Sequence, residues 1–167
     1  MPIKLVRIDD RYIHGQVTVG WTRAYNVNEI WVVDDTLASN PMMKQLQIAL
    51  APPGTKVEVL GVSEAIEKLK SKNYNDKNNI MIIVAKPKDC LRIFKEVGKF
   101  IDWINVGQSA WKQGKTLVVK NFAVNDEDVQ AFKELAEMGV ELRYQMLPGD
   151  KPQDFYKLLK EKGLLKD

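Results

Sequence analysis

Apolar and polar positions fall into blocks along this chain, and the blocks switch between a strand-like and a helix-like period. Residues 3–8 are apolar apart from Lys4 and Arg7 and read as a strand. Residues 17–25 follow as a helix of poor intrinsic propensity, because β-branched residues and Gly20 run through it. Residues 29–35 read as a buried parallel strand bounded by polar residues. Ser39-Asn40-Pro41 opens a helix in which Met42, Met43, Leu46, Ala49 and Leu50 recur at helical spacing. Ala51-Pro52-Pro53-Gly54 stops it. Residues 56–60 alternate as a short strand. Ser63 is the expected cap of a helix with Ala65, Ile66 and Leu69 on one face. A polar loop, 72–79, leads to 80–85, the strongest strand. Asp89 lies early in the next helix, which runs through Leu91, Phe94 and Val97 to Gly98. Residues 101–106 and 116–119 read as a fifth and a sixth strand. Asn125 or Asp126 caps a helix with Val129, Phe132, Leu135 and Met138 on one face, closed by Gly139. Residues 140–146 alternate as a seventh strand, and 154–162 form the last helix.

This alternation predicts an α/β fold: a single-domain, open, mostly parallel seven-stranded sheet with helices on both faces. The link between the fifth and sixth strands is shorter than the roughly twelve residues a parallel crossover needs. Either that link is irregular or one strand runs antiparallel. The alternation in 140–146 marks the seventh strand as the expected antiparallel edge. At 167 residues the chain fits one domain, 1–167, with no linker, repeat or low-complexity segment to divide it. Apolar residues make up 45%, enough for a packed core, where Cys90 and the helical methionines are expected. A net charge of +3 from scattered lysines, without a recognised motif, gives no reason to expect a nucleic-acid partner. Cys90, the only cysteine, excludes an intrachain disulfide and fits a cytoplasmic setting. The N-terminus lacks the apolar core of a signal peptide, and no apolar run is long enough to span a bilayer. The expectation is a protein without direct membrane insertion, whose membrane role, if any, runs through a partner.

Chemistry concentrates in residues 8–17, the first strand-to-helix loop, and in open sheets ligands bind outside the carboxyl ends of strands. The loop holds Asp9, Asp10, Arg11 and His14, the only histidine. Neutral imidazole is a competent nucleophile near neutral pH, because its unperturbed pKa is about 6.5. Attack on a phosphoryl donor gives an N–P bond that keeps the group transferable. The N–H groups of Gly15, Gln16 and Val17 and the dipole of the first helix favour the anion so formed. Gly15 also removes a side chain where a phosphate approaches. The alternative for His14 is a helix-start residue that satisfies a backbone group. Arg11 reads either as a clamp on phosphoryl oxygens or as a surface charge paired with Asp9 or Asp10. The two aspartates read either as groups that orient Arg11 or the imidazole, or as turn carboxylates accepting backbone N–H bonds. Pocket-rim candidates are Asp9, Asp34 after the second strand, Lys86 after the fourth, and Asn105, Gly107 and Gln108 at the end of the fifth. Each alone reads as turn or cap chemistry.

The segment Arg7-Ile8-Asp9-Asp10-Arg11-Tyr12-Ile13-His14-Gly15-Gln16-Val17 resembles the active-site motif of the IIB component of the bacterial sugar phosphotransferase system, mannose/fructose/sorbose class. Weaker matches at Val32-Val33-Asp34-Asp35, Ala51-Pro52-Pro53-Gly54 and Asn105-Val106-Gly107 extend the resemblance over essentially the whole chain. Tyr12 stands where an aliphatic residue is commoner in that family. The resemblance implies that His14 accepts a phosphoryl group, in this family usually on Nδ1, from a phosphohistidine of a IIA component. It implies that the group passes to a sugar delivered by membrane components IIC and IID, with no metal or nucleotide cofactor. It favours Asp10 over Asp9 as the orienting carboxylate and leaves both the sugar and a homo-oligomer open.

Two rivals share parts of this pattern. A receiver-type signalling domain also has paired carboxylates after its first strand and a Lys-Pro after a late one, as in Asp9-Asp10 and Lys86-Pro87. Its phosphoacceptor aspartate would follow the third strand, where Leu60-Gly61-Val62 offers none. A dinucleotide-binding module would use Asp34 on a ribose, but its G-x-G-x-x-G is missing.

Overall fold

The structure, a computed structural model, describes residues 1–165, so the last two residues of the expected 1–167 domain lie outside the described residues. In chain order the elements are β1 (Ile3–Asp9), α1 (Gly15–Ala24), β2 (Glu29–Val33), α2 (Asp35–Ala38), α3 (Pro41–Ala49), β3 (Lys56–Leu60), α4 (Val62–Ser71) and β4 (Ile80–Val84). They continue with α5 (Pro87–Val97), β5 (Trp103–Gln108), β6 (Thr116–Val119), β7 (Phe122–Val124), α6 (Asp126–Glu137), β8 (Glu141–Tyr144), β9 (Gln153–Asp154) and α7 (Phe155–Glu161). Seven strands form one sheet in the order β3-β2-β4-β1-β5-β8-β9, parallel except for β9.

Both faces of the central strands are buried, which is why β2 and β4 read as continuous apolar runs rather than alternating ones. Successive residues of a strand serve opposite cores. Ile30 and Val32 pack with Leu5, Trp21 and Leu37 on the side of α1 and α2. Trp31 and Val33 pack with residues of α4, α5, α6 and α7 on the other. β1 sits between β4 and β5 and sends its chain to the α1 face, whereas both neighbours send theirs to the opposite face. The connections therefore part on either side of the carboxyl end of β1.

Several expectations are corrected. The strand at β8 pairs with β5 in parallel, so it is not the antiparallel edge. That edge is β9, two residues paired antiparallel to β8. The strand at β6 is not in the main sheet either; it forms a separate antiparallel ribbon with β7. The short link after β5 is thereby explained, since it leads into a hairpin and not a crossover. Ser63 does not cap α4. The cap position is Gly61, two residues earlier, and the Asp35 carboxylate of α2 accepts from the Val62 N–H at 2.8 Å. Asn125 does cap α6, in a reciprocal box with Asp128. The largest departure is α3. Its spacing is helical, but Gln47 is its only buried residue, and Met42, Met43, Leu46 and Leu50 are exposed, Met42 at 81%. The helical methionines Met42 and Met43 are thus not core, while Cys90 is.

Candidate functional site

The loop after β1 begins with a turn in which the Tyr12 N–H donates to the Asp9 carbonyl at 3.2 Å. Tyr12 has φ +61, a left-handed conformation costly for a bulky side chain, and it reverses the chain toward the helix. His14 occupies the position before α1 with φ −140 and ψ 89 and makes no side-chain cap bond. Its backbone does the capping: its N–H donates to the Thr18 hydroxyl at 2.7 Å, and its carbonyl accepts from the Thr18 N–H at 3.3 Å. The imidazole is therefore left exposed and unconsumed by the fold. Gly15 follows at φ +43, and a Cβ there would meet no protein atom within 4 Å. Backbone conformation, rather than protein crowding, selects glycine at this position. The N–H groups of Gly15, Gln16 and Val17 have no acceptor among the described residues, as the first turn of a helix requires.

Beneath the loop lies a charge network that the sequence reading did not single out. Arg7, 2% exposed within β1, donates from Nε and Nη2 to Asp9 Oδ2 at 3.2 and 3.1 Å. Its Nη1 donates to Asn105 Oδ1 and to the Gln145 carbonyl, and its plane lies over the Trp21 ring. Burial pushes the Arg7 guanidinium below its ordinary pKa, and the Asp9 charge opposes that shift. The other side of the same carboxylate holds Arg11. Asp9 Oδ1 accepts from the Arg11 N–H and Nε at 2.9 and 3.1 Å, and Oδ2 accepts from Nη2 at 3.1 Å. Arg11 is thus fixed by a bidentate fork on a buried anion, with Nη1 unused among the described residues. Gly107 makes the network fit: a Cβ there would stand 2.4 Å from the Arg7 Cζ.

These contacts sort the expected site residues. Asp9, Asn105 and Gly107 lie under the site and support it; they do not line a rim. Asp10 does not orient Arg11, because its Oδ2 accepts from the Ala110 N–H at 2.8 Å and ties the loop to the segment after β5. Asp9 is the carboxylate on Arg11, the reverse of the preference drawn from the resemblance. The Gln108 carbonyl accepts from the Asp10 N–H at 3.1 Å. Asp34 is buried and caps α2 through the Leu37 N–H, and burial together with the Asp34 charge pushes the Tyr12 hydroxyl pKa up to about 12. Lys86 is exposed and lines a cleft that neither His14 nor Arg11 lines. Besides Arg7, the sequence reading missed Gln47, whose buried Oε1 accepts from the Ile13 N–H at 3.1 Å and docks α3 onto the loop. The available signal for Arg7 was a lone arginine in an otherwise apolar strand, which needs a buried partner.

An exposed loop histidine at a helix start, three residues after a guanidinium held from below, carries the groups for nucleophilic attack on a phosphoryl group and for stabilising the charge. The model of the family described as "PTS system sorbose subfamily IIB component" matches residues 3–167. The match places this α/β domain among the phosphotransferase components of bacterial sugar uptake. The chain is similar to the mannose-specific EIIAB component of Escherichia coli K12, 39% identical over 150 residues, which are 90% of this chain and 46% of that protein. It thus spans about half the length of those EIIAB relatives. It is also similar to the fructose-specific EIIB component of Bacillus subtilis, 32% identical over 96% of this chain and 97% of that one. Among solved structures, the IIBSor domain of the sorbose permease from Klebsiella pneumoniae superposes with a TM-score of 0.88 at 31% identity, covering 96% of this chain and 98% of the other. The chain belongs to the sorbose subfamily of IIB components. Among the described residues, no helix is long and apolar enough to cross a membrane.

Proposed function

We propose that this protein is a cytoplasmic phosphocarrier of the mannose/fructose/sorbose class. His14 accepts a phosphoryl group from the phosphohistidine of a IIA component and passes it to a sugar presented by the IIC and IID membrane components. In each transfer one bond to phosphorus forms as another breaks: first N–P for N–P between two imidazoles, then O–P for N–P as the sugar hydroxyl attacks. Arg11 holds the equatorial oxygens, the N–H groups of Gly15, Gln16 and Val17 face the anion, and Asp9 keeps Arg11 in place. The observation that carries this reading is the sole histidine, exposed before α1 in the same loop as a guanidinium fixed on a buried carboxylate.

The test is phosphorylation by phospho-IIA of the wild type and of His14→Ala. The wild type should gain one phosphate that is acid-labile and base-stable, and the variant none, with an unchanged thermal melt. Equal labelling of the variant would sink the assignment. A base-labile acyl phosphate on Asp9, Asp10 or Asp34 would transfer the chemistry to a carboxylate.

A further inference from the structure

A second feature of the same sheet edge is not used by the histidine. A cleft of about 320 Å³ opens where the ends of three strands meet. Asp10 and Tyr12 reach it from β1, Lys86 and Lys88 from the start of α5, and Ser109, Lys112 and Lys115 from the segment after β5. It occupies the place where the connection from β1 parts from those of β4 and β5, and open α/β sheets take ligands at such points. Its volume falls at the lower end of small-molecule sites, about 300–1,000 Å³.

The lining is cationic with a surplus. Lys88 stands 3.6 Å from Glu127 and Lys115 3.5 Å from Asp128, both long for ion pairs. Lys86 and Lys112 line the cleft and make no ion pair among the described residues. The two carboxylates that also line it are engaged, Asp10 by the Ala110 N–H at 2.8 Å and Glu127 by Lys88. Pro87 and Lys88 open the eleven-residue helix α5, which has no side-chain cap, so its dipole adds positive potential, offset in part by Asp89 in its first turn, which faces Lys86 and Lys88. Ser109 is buried against the wall with its hydroxyl 3.4 Å from the Lys115 ammonium, and Asn125 adds an amide. A surplus of lysines over carboxylates in the lining, hydroxyl and amide partners and a small volume together describe a polar, anionic ligand with hydroxyl groups of its own.

We propose that this cleft binds the phosphate monoester of a sugar, with the phosphate between Lys86 and Lys112 and the sugar hydroxyls toward Ser109 and Asn125. The identity of the ester rests on the proposed function, because transfer from His14 to a sugar hydroxyl releases such a dianion beside the cleft. The presence of an anion site there does not depend on that reading.

The experiment is an amide NMR titration of the unphosphorylated full chain at low salt with glucose 6-phosphate, inorganic phosphate and glucose, each alone. Glucose 6-phosphate should give saturable shifts at Lys86, Lys88, Ser109 and Lys112, bind more tightly than inorganic phosphate, and leave glucose without effect. Lys86→Gln with Lys112→Gln should weaken it by about tenfold or more, as the loss of charged hydrogen bonds predicts. His14→Ala should bind as the wild type does, so failure of the phosphocarrier reading and failure of the cleft are separately visible. Shifts centred on residues 14–17, or a titration unaffected by the double substitution, would overturn the proposal. Equal affinity for inorganic phosphate would reduce the cleft to a bare anion hole. If the substitutions spared glucose 6-phosphate and weakened only docking of the IIA component, the lysines would be a protein contact and the inference would fall.

Discussion

At the scale of residues, the site is one carboxylate shared between two arginines. Asp9 takes charged hydrogen bonds from Arg7 below and Arg11 above, so the position of Arg11 depends on groups that never approach a ligand. Gly107→Ala tests the lower half. Its Cβ would collide with the Arg7 guanidinium, whose neighbours are the Trp21 ring and the Asn105 amide. Overpacking of this kind costs about 1–3 kcal/mol, and urea denaturation should show it together with slower transfer from phospho-IIA. Unchanged stability would mean that Arg7 has room to move. Arg11→Lys tests the upper half. An ammonium cannot hold two phosphoryl oxygens in one plane, nor can it fork onto both oxygens of Asp9. Single-turnover transfer should slow about ten- to a thousandfold, and stability should fall by about 1.5–3 kcal/mol, the value of a charged hydrogen bond. An unchanged rate would leave Arg11 a purely structural charge. Little of this network was legible beforehand. Arg11 and His14 announce themselves by type and loop position, but which of Asp9 and Asp10 holds Arg11 depends on the turn closed by Tyr12 at positive φ.

At the scale of elements, burial decided what could be read. The strands β1, β2 and β4 are apolar on both faces because helices cover both, and that pattern is visible in the residues alone. The two-residue β9 and three-residue β7 are too short to carry a period, and their pairing is set by partners remote in the chain. Periodicity also reports a stripe without saying which side is buried. In α3 the stripe of Met42, Leu46 and Leu50 faces outward while a polar residue, Gln47, points in. Gln47 is there for the Ile13 N–H of the histidine loop. Gln47→Leu keeps the volume and removes the acceptor, leaving a buried N–H unpaired at a cost of about 1–3 kcal/mol. Faster amide exchange at Ile13 and slower phosphorylation of His14, with α3 still helical by NMR shifts, is the expected outcome. Unaltered exchange at Ile13 would show that the loop is held without α3.

At the scale of the molecule, the requirements of transfer constrain how partners meet this surface. A phosphoryl group moves between two proteins only if both imidazoles reach one phosphorus, in line and with water excluded. His14 is exposed in the free protein, so under the proposed function a IIA component would have to cover it and then leave, because the next transfer would need the same side chain. Such a cycle calls for a modest interface in fast exchange. The surroundings of His14 supply two kinds of contact. Arg11 and the lysines Lys86 and Lys112 give the sheet edge a positive field, and α3, tied to the loop through Gln47, offers exposed methionine and leucine side chains. An acidic surface around the IIA histidine would be steered by the first and seated by the second. Amide NMR titration with IIA should therefore shift residues 9–17 and α3, and affinity should fall as ionic strength rises, because exposed charges are screened within about 10 Å at 0.1 M salt. Shifts confined to the opposite sheet edge, near the amino ends of the strands, would refute this docking site. Salt-independent affinity would remove the electrostatic half and leave the apolar seat on α3 to carry the encounter.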